Sequence, residues 1–191
     1  MGRKPMTAEQ RAKMRGKILD AARQQFLETG LESLSMRGIA TRVGVSSMTL
    51  YLYYESRQDI VRHLVLEGFN LLDAELQSAI LLGSTRDKIA KLADAYIRFA
   101  TTNPRYYTAM FRHVAAPEEK SVDVELESAV QATSQRLQRT LENAEYATRD
   151  AAHHSSAIWA HLHGWSTLII GGQVDPAQFN ANKVSASFLQ S

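Results

Sequence analysis

Apolar positions along this chain recur mostly three and four residues apart and hardly ever alternate. That period marks α-helices burying one face rather than strands. Ile18, Ala22 and Phe26 form the first stripe. Thr7 and Gln10 precede it with the spacing of a capping box, and Gly30 follows it as a helix stop. Ser35 predicts the cap of a short second helix bearing Ile39, Ala40 and Val43, which Gly44 ends; Ser46 then caps a very short third. Ser56 with Asp59 opens a long fourth helix over residues 60–82, stopped at Gly83.

The pattern stays helical farther on. Ile89, Leu92, Ala93, Tyr96, Phe99 and Ala100 make one stripe that ends near Asn103. Pro104 suits the first position of the next helix, which carries Tyr106, Tyr107, Met110 and Phe111. The acidic run after Pro117, with Glu118, Glu119, Asp123, Glu125 and Glu127, reads as a loop leading into another helix. Further helices are expected over residues 149–170, broken by Gly171 and Gly172, and from residue 175 or 176 to the end. The expectation is an all-α chain of about nine helices.

Helices two and three are separated by little more than Gly44 and Val45, the spacing of a helix-turn-helix. Ala40 allows the close approach of the two helices, and Gly44 supplies the positive φ of the turn. Ile39, Val43, Val45 and Leu50 then close a small core on Phe26. In such a motif the second helix enters the DNA major groove. Ser46, Ser47, Met48 and Thr49 project at its N-terminus, where hydroxyls reach phosphates or base edges and a thioether can touch a thymine methyl. Tyr51 and Tyr53 are long enough for the sugar-phosphate backbone. Ser35, Arg37 and Arg57 complete the expected DNA-contacting set, with Arg57 pairing a phosphate bidentately.

Charge supports this reading. The net charge of the 191 residues is only +2, yet residues 1–17 hold Arg3, Lys4, Arg11, Lys13, Arg15 and Lys17 against Glu9 alone. A basic front end suits a polyanionic partner, with Arg3 and Lys4 as an arm. Cysteine is absent, which excludes disulfides and thiolate metal sites. The N-terminus lacks the apolar core of a secretory signal, and no eighteen apolar residues run together, so a cytoplasmic protein without a membrane partner is expected. No spaced catalytic set, such as GxSxG, HExxH or a phosphate-binding glycine loop, points to an enzyme.

Residues 18–60, ILDAARQQFLETGLESLSMRGIATRVGVSSMTLYLYYESRQDI, strongly resemble the DNA-binding domain of the TetR family of bacterial transcription regulators. The resemblance runs through the Ala-Ala and Phe of helix one, the Ile-Ala of helix two, Gly-Val-Ser and Thr-Leu-Tyr. The family often has glycine where Met48 stands, His-Phe where Tyr53 and Tyr54 stand, and lysine at Arg57. The resemblance implies residues 1–60 as a DNA-binding domain and 61–191 as a ligand-binding and dimerisation domain. It also implies a homodimer on a palindromic double-stranded operator and release by a small-molecule effector, with no cofactor.

Patterns in the second part fit that implication. The stretch IWAHLHGWSTLIIGG is apolar nearly all round, so both sides require cover. Small residues at Ala157, Ala160, Gly164, Thr167 and Gly171 would admit a close neighbour. WAHLHGW is similar to the Trp…His-Gly signature of one C-terminal subfamily. Phe69, Tyr96, Phe99, Tyr107, Met110, Phe111, Trp159 and His163 are the candidate lining of an apolar, aromatic pocket. His153, His154, His161 and His163 cluster but lack the further ligands of a metal site. The dimer is expected to pair the 151–171 helix and the closing helix, with Phe179, Val184, Phe188 and Leu189, against their copies.

Overall fold

The computed structural model describes residues 6–80, 84–115, 123–142 and 151–189. Described residues fall into helices and turns, with no strand among them. The helices are α1 (Ala8–Thr29), α2 (Met36–Val43), α3 (Ser47–Leu50), α4 (Arg57–Ala79) and α5 (Thr85–Thr102). They continue with α6 (Pro104–Ala115), α7 (Val124–Glu142), α8 (Ala151–Ile170) and α9 (Ala181–Leu189), with a 3-10 turn over Pro176–Gln178. Arg3 and Lys4, the stop at Gly83, the acidic residues Glu118 and Glu119, and the helix start at Arg149 lie outside the described residues. The chain divides into two compact units, Met1–Val65 with Arg112–Glu119, and Leu66–Phe111 with Lys120–Ser191.

The first unit is built from capped helices. Thr7 accepts from Gln10 N–H while the Gln10 side chain accepts from Thr7 N–H, a reciprocal box at the start of α1. Gly30 closes α1 at φ 81°, and Gly44 ends α2 in the left-handed region at φ 79° and ψ 35°. A side chain with a Cβ would be strained at Gly44, so the tight α2–α3 turn depends on glycine there. α1 packs on α2 and α2 on α3. Ile18, Ala22, Phe26, Ile39, Ala40 and Leu50 are buried between them, as their spacing requires, while Val43 and Val45 are only half-buried. Each large side chain so buried contributes about 1.5–3 kcal/mol.

The second unit is organised on α5, which packs against α7, α8 and α9. Ile89, Leu92, Ala93, Tyr96, Phe99 and Ala100 are all buried, and so are Ala95 and Ile97, which widens the buried face beyond a single stripe. Arg136 of α7 grips Asp73 of α4 with two hydrogen bonds of 2.7 Å. Gly68 of α4 lies against α6: a Cβ there would stand 2.7 Å from Met110 Sδ and 3.1 Å from Tyr106 Cδ1.

The last helix differs from expectation. Asp175 caps the 3-10 turn by accepting from Ala177 N–H, Phe179 is extended, and Asn180 caps a separate α9 by accepting from Lys183 N–H. Two capping side chains five residues apart make two short elements rather than one. Val184, expected to pack against a second copy of the closing helix, is buried within its own unit. The side chains of Phe188 and Leu189 lie outside the described residues.

Candidate nucleic-acid interface and aromatic cluster

The N-terminal end of α3 is a shelf of exposed or half-exposed side chains. Ser46 is exposed, Ser47 and Thr49 are half-buried, and Met48 is 76% exposed, while Leu50 on the opposite side is fully buried. The Ser46 hydroxyl accepts from Thr49 N–H and lies 2.9 Å from the Thr49 hydroxyl. Tyr51 is 52% exposed. Ser35 caps α2 by accepting from Gly38 N–H, and Arg37 in the first turn of α2 is exposed and makes no ion pair among the described residues. These residues gather on exposed positions of α2, the turn and α3.

Two expected members stand elsewhere. Tyr53 is buried, and its phenol donates to Met6 Sδ at 3.2 Å instead of pointing to solvent. Arg57 donates through Nε to the Leu34 carbonyl at 2.8 Å and through Nη2 to the Leu31 carbonyl at 2.5 Å. The loop after Gly30 leaves these carbonyls outside a helix, and the guanidinium fork satisfies them. In this structure Arg57 is a brace for the α1–α2 loop rather than a projecting phosphate ligand.

A second brace holds the end of α3, and the sequence reading missed it. Arg11 donates to the Leu52 carbonyl at 2.6 Å, and Arg15 donates to the Tyr53 carbonyl. The Arg15 guanidinium also lies 4.4 Å over the Tyr54 ring, whose hydroxyl donates to the Arg15 carbonyl at 3.1 Å. Burial pushes the Tyr54 phenol above its ordinary value, against the pull of Arg15. The four-residue spacing of Arg11 and Arg15 places them on one face of α1, the signal from which the clamp could have been inferred.

Six of the candidate ligand residues, Phe69, Tyr96, Tyr107, Phe111, Trp159 and His163, come together in the second unit. Tyr96 packs edge-on to Tyr107 and Trp159 at 5.9 and 5.1 Å between ring centres, and Phe111 contacts Phe69, Tyr107, Trp159 and His163. Met110 and Phe99 are buried. Tyr96 and Tyr107 share a hydrogen bond of 3.1 Å, and the Tyr107 hydroxyl lies 2.7 Å from His163 Nδ1. Burial pushes the Tyr107 phenol up to about 12, raises Tyr96 well above its ordinary value, and lowers His163 below its own. Trp159, Phe111 and His163 remain partly exposed, so the cluster reaches the surface of its unit. A groove of about 370 Å³ elsewhere in the unit is lined by Lys88, Arg136 and Arg139 rather than by the aromatic residues.

The histidines have nearby partners. His161 accepts from the Trp165 indole at 3.1 Å, and His163 belongs to the tyrosine chain. Among the described residues, no three His, Cys, Asp or Glu side chains group as metal ligands. No described helix is long and apolar enough to cross a membrane.

Comparison with known proteins places these features. The family model described as bacterial regulatory proteins, tetR family, matches residues 18–64. The model described as tetracyclin repressor-like, C-terminal domain, matches residues 89–189, more than half of the chain. An uncharacterized HTH-type transcriptional regulator, YobS of Bacillus subtilis (strain 168), is 25% identical over 152 residues, covering 80% of this chain and 76% of that protein. A solved structure of a protein of unknown function from Rhodococcus sp. RHA1 is 26% identical with a TM-score of 0.77, covering 93% of each chain. The transcriptional regulator FadR from Bacillus subtilis, solved in complex with stearoyl-CoA, shares the fold at 16% identity and a TM-score of 0.64, covering 92% of this chain and 95% of that one. The chain belongs to the TetR family of bacterial regulatory proteins and is a DNA-binding transcriptional regulator.

Proposed function

We propose that this regulator is a homodimeric repressor, released from a palindromic operator by a small, largely apolar ligand. The observation that carries the reading is the aromatic cluster with its internal Tyr96–Tyr107–His163 polar chain, set in a unit separate from the helix-turn-helix. Apolar walls with few, fixed polar groups are the usual make-up of a small-molecule site. The solved FadR complex with stearoyl-CoA is a precedent for ligand binding on this fold. DNA contact is assigned to Ser35, Arg37, Ser46, Ser47, Met48, Thr49 and Tyr51, the exposed or half-exposed members of the expected set.

The dimer reading rests on α8. Ile158, Leu162 and Ile169 are buried on one face, while Ala160, Gly164, Thr167, Leu168 and Gly171 are exposed on the other. Among the described residues, nothing stands within 4 Å of a Cβ built at Gly164, so a neighbouring helix has room to approach closely. A two-fold pair on this face matches the symmetry of a palindromic site. Trp159, His163 and Gly164 are also the residues by which this part resembles the Trp-His-Gly subfamily.

Footprinting upstream of the gene, followed by sedimentation of the free and DNA-bound protein, tests the reading. The expected result is a two-fold symmetric footprint bound by two chains, and a thermal shift with at least one apolar compound in a ligand screen. A stable monomer occupying the full site with unit stoichiometry would exclude the dimer. No shift across the screen would favour a regulator that binds DNA without an inducer.

A further inference from the structure

We propose that Met48 and Leu52 read thymine methyl groups in the operator; the inference rests on the assignment of α3 as the DNA-reading helix. Met48 is 76% and Leu52 is 62% exposed. They stand four residues apart, and the helical turn continues between them, since Leu52 N–H donates to the Thr49 carbonyl at 3.2 Å and Tyr54 N–H to that of Leu50 at 3.0 Å. The turn tightens there, with the Leu52 and Tyr53 N–H groups bonding three residues back to Thr49 and Leu50. It keeps the two exposed side chains about one turn apart on this short segment. Tyr51, 52% exposed, adjoins them. The result is an apolar strip on the element that meets DNA.

The other side chains of α3 leave that strip a distinct task. The Ser46 and Thr49 hydroxyls are engaged with each other and with the helix cap, so much of their hydrogen-bonding capacity is already used. No lysine or arginine occurs between Gly44 and Ser56, so this segment does not read phosphates by charge. The thymine C5-methyl is the apolar feature that distinguishes base pairs in the major groove. A flexible thioether adapts to its position. Leu52 sits on backbone pinned by Arg11, whose guanidinium holds its carbonyl at 2.6 Å.

The test uses the full-length chain and duplexes it selects from a randomised pool. Each thymine of a selected duplex is replaced singly by deoxyuridine, which removes only the methyl. Binding is then read by fluorescence anisotropy for wild type, Met48→Ala and Leu52→Ala. At one or more thymines of each half-site, deoxyuridine should weaken wild-type binding about fourfold, the worth of burying one methyl-sized group. Met48→Ala or Leu52→Ala should bind the two duplexes equally at that position, with unchanged thermal unfolding. The proposal fails if no methyl matters to wild type. It also fails if the methyl dependence survives in both variants, which would assign it to another side chain such as Thr49. Selection of no duplex at all would overturn the DNA-reading assignment of α3 and this inference with it.

Discussion

The Tyr107 hydroxyl stands 2.7 Å from Nδ1 of His163, and that contact ends a hydrogen-bond chain that begins at buried Tyr96. Tyr96, 1% exposed, has the Tyr107 oxygen 3.1 Å away. If Tyr96 donates to Tyr107 and Tyr107 donates to Nδ1, every phenol proton is used and the ring proton sits on Nε2. The opposite direction would strand the Tyr96 proton in an apolar site, at a cost of about 1–3 kcal/mol.

A pH dependence follows. Burial lowers His163 below its ordinary value of 6.5, so the unfolded chain takes up its proton more readily than the folded one. Stability from this group is complete above pH 6.5 and falls as the pH drops from there through the lowered folded value. Protonation would also reverse the chain and strand Tyr96. Thermal unfolding followed from pH 7.5 to 5 should show this loss, and His163→Gln should flatten it. Identical slopes for the two proteins would remove the argument.

Arg57→Ala should destabilise the first unit by about 2 kcal/mol before any DNA is added, because two partly buried charge-assisted bonds to Leu31 and Leu34 are lost. Arg57→Lys should recover only part, since an ammonium lacks the fork that reaches both carbonyls. Denaturant unfolding measures both. An unchanged transition alongside lost DNA binding would return Arg57 to the role of a phosphate ligand.

Gly68→Ala pits two effects against each other. Alanine gains about 1 kcal/mol in helix propensity. Its Cβ, however, would stand 2.7 Å from the sulfur of Met110, which is fully buried and has little room to retreat. Overpacking of this kind costs about 1–3 kcal/mol, so a net loss is expected. Combined with Met110→Ala, the substitution at Gly68 should become neutral or favourable. A rise in melting temperature for the single variant would show that α4 and α6 have slack.

Asp73→Asn should cost about 1–2 kcal/mol, between the values of exposed and buried ion pairs, because Asp73 and Arg136 are 24% and 21% exposed in their side chains. The paired change Asp73→Leu with Arg136→Met should recover most of the loss. Chemical unfolding in low salt resolves the two outcomes.

Local punctuation made most of the fold legible in the sequence. Thr7, Ser35 and Ser46 cap the helices they precede, Gly44 takes the left-handed turn, and the α5 stripe is buried residue by residue. These signals act within one or two turns, so the order of residues carries them. The fates of Tyr53, Arg57 and Val184 depend on partners brought from elsewhere in the chain, namely Met6, the Leu31 and Leu34 carbonyls and the packing of α9 on α5. Periodicity names the face a residue occupies but not the neighbour across from it. The aromatic set was recoverable because bulky rings on inner helices have few places to go. The direct packing of those rings on one another was not.

The Arg11 and Arg15 clamp changes what the basic front of the chain means for binding in solution. A guanidinium that gives an N–H to a peptide carbonyl keeps its charge but is held in place, with part of its donor fork already spent. Each phosphate neutralised contributes a logarithmic salt slope of about −0.9 on duplex DNA. Counting all the lysines and arginines ahead of Ile18 as freely moving phosphate ligands would therefore overstate the direct contacts. The measured slope should answer most to exposed cations without such a tie, such as Lys13, Lys17 and Arg37. Arg11 and Arg15 would register as rigidity in the segment that follows α3.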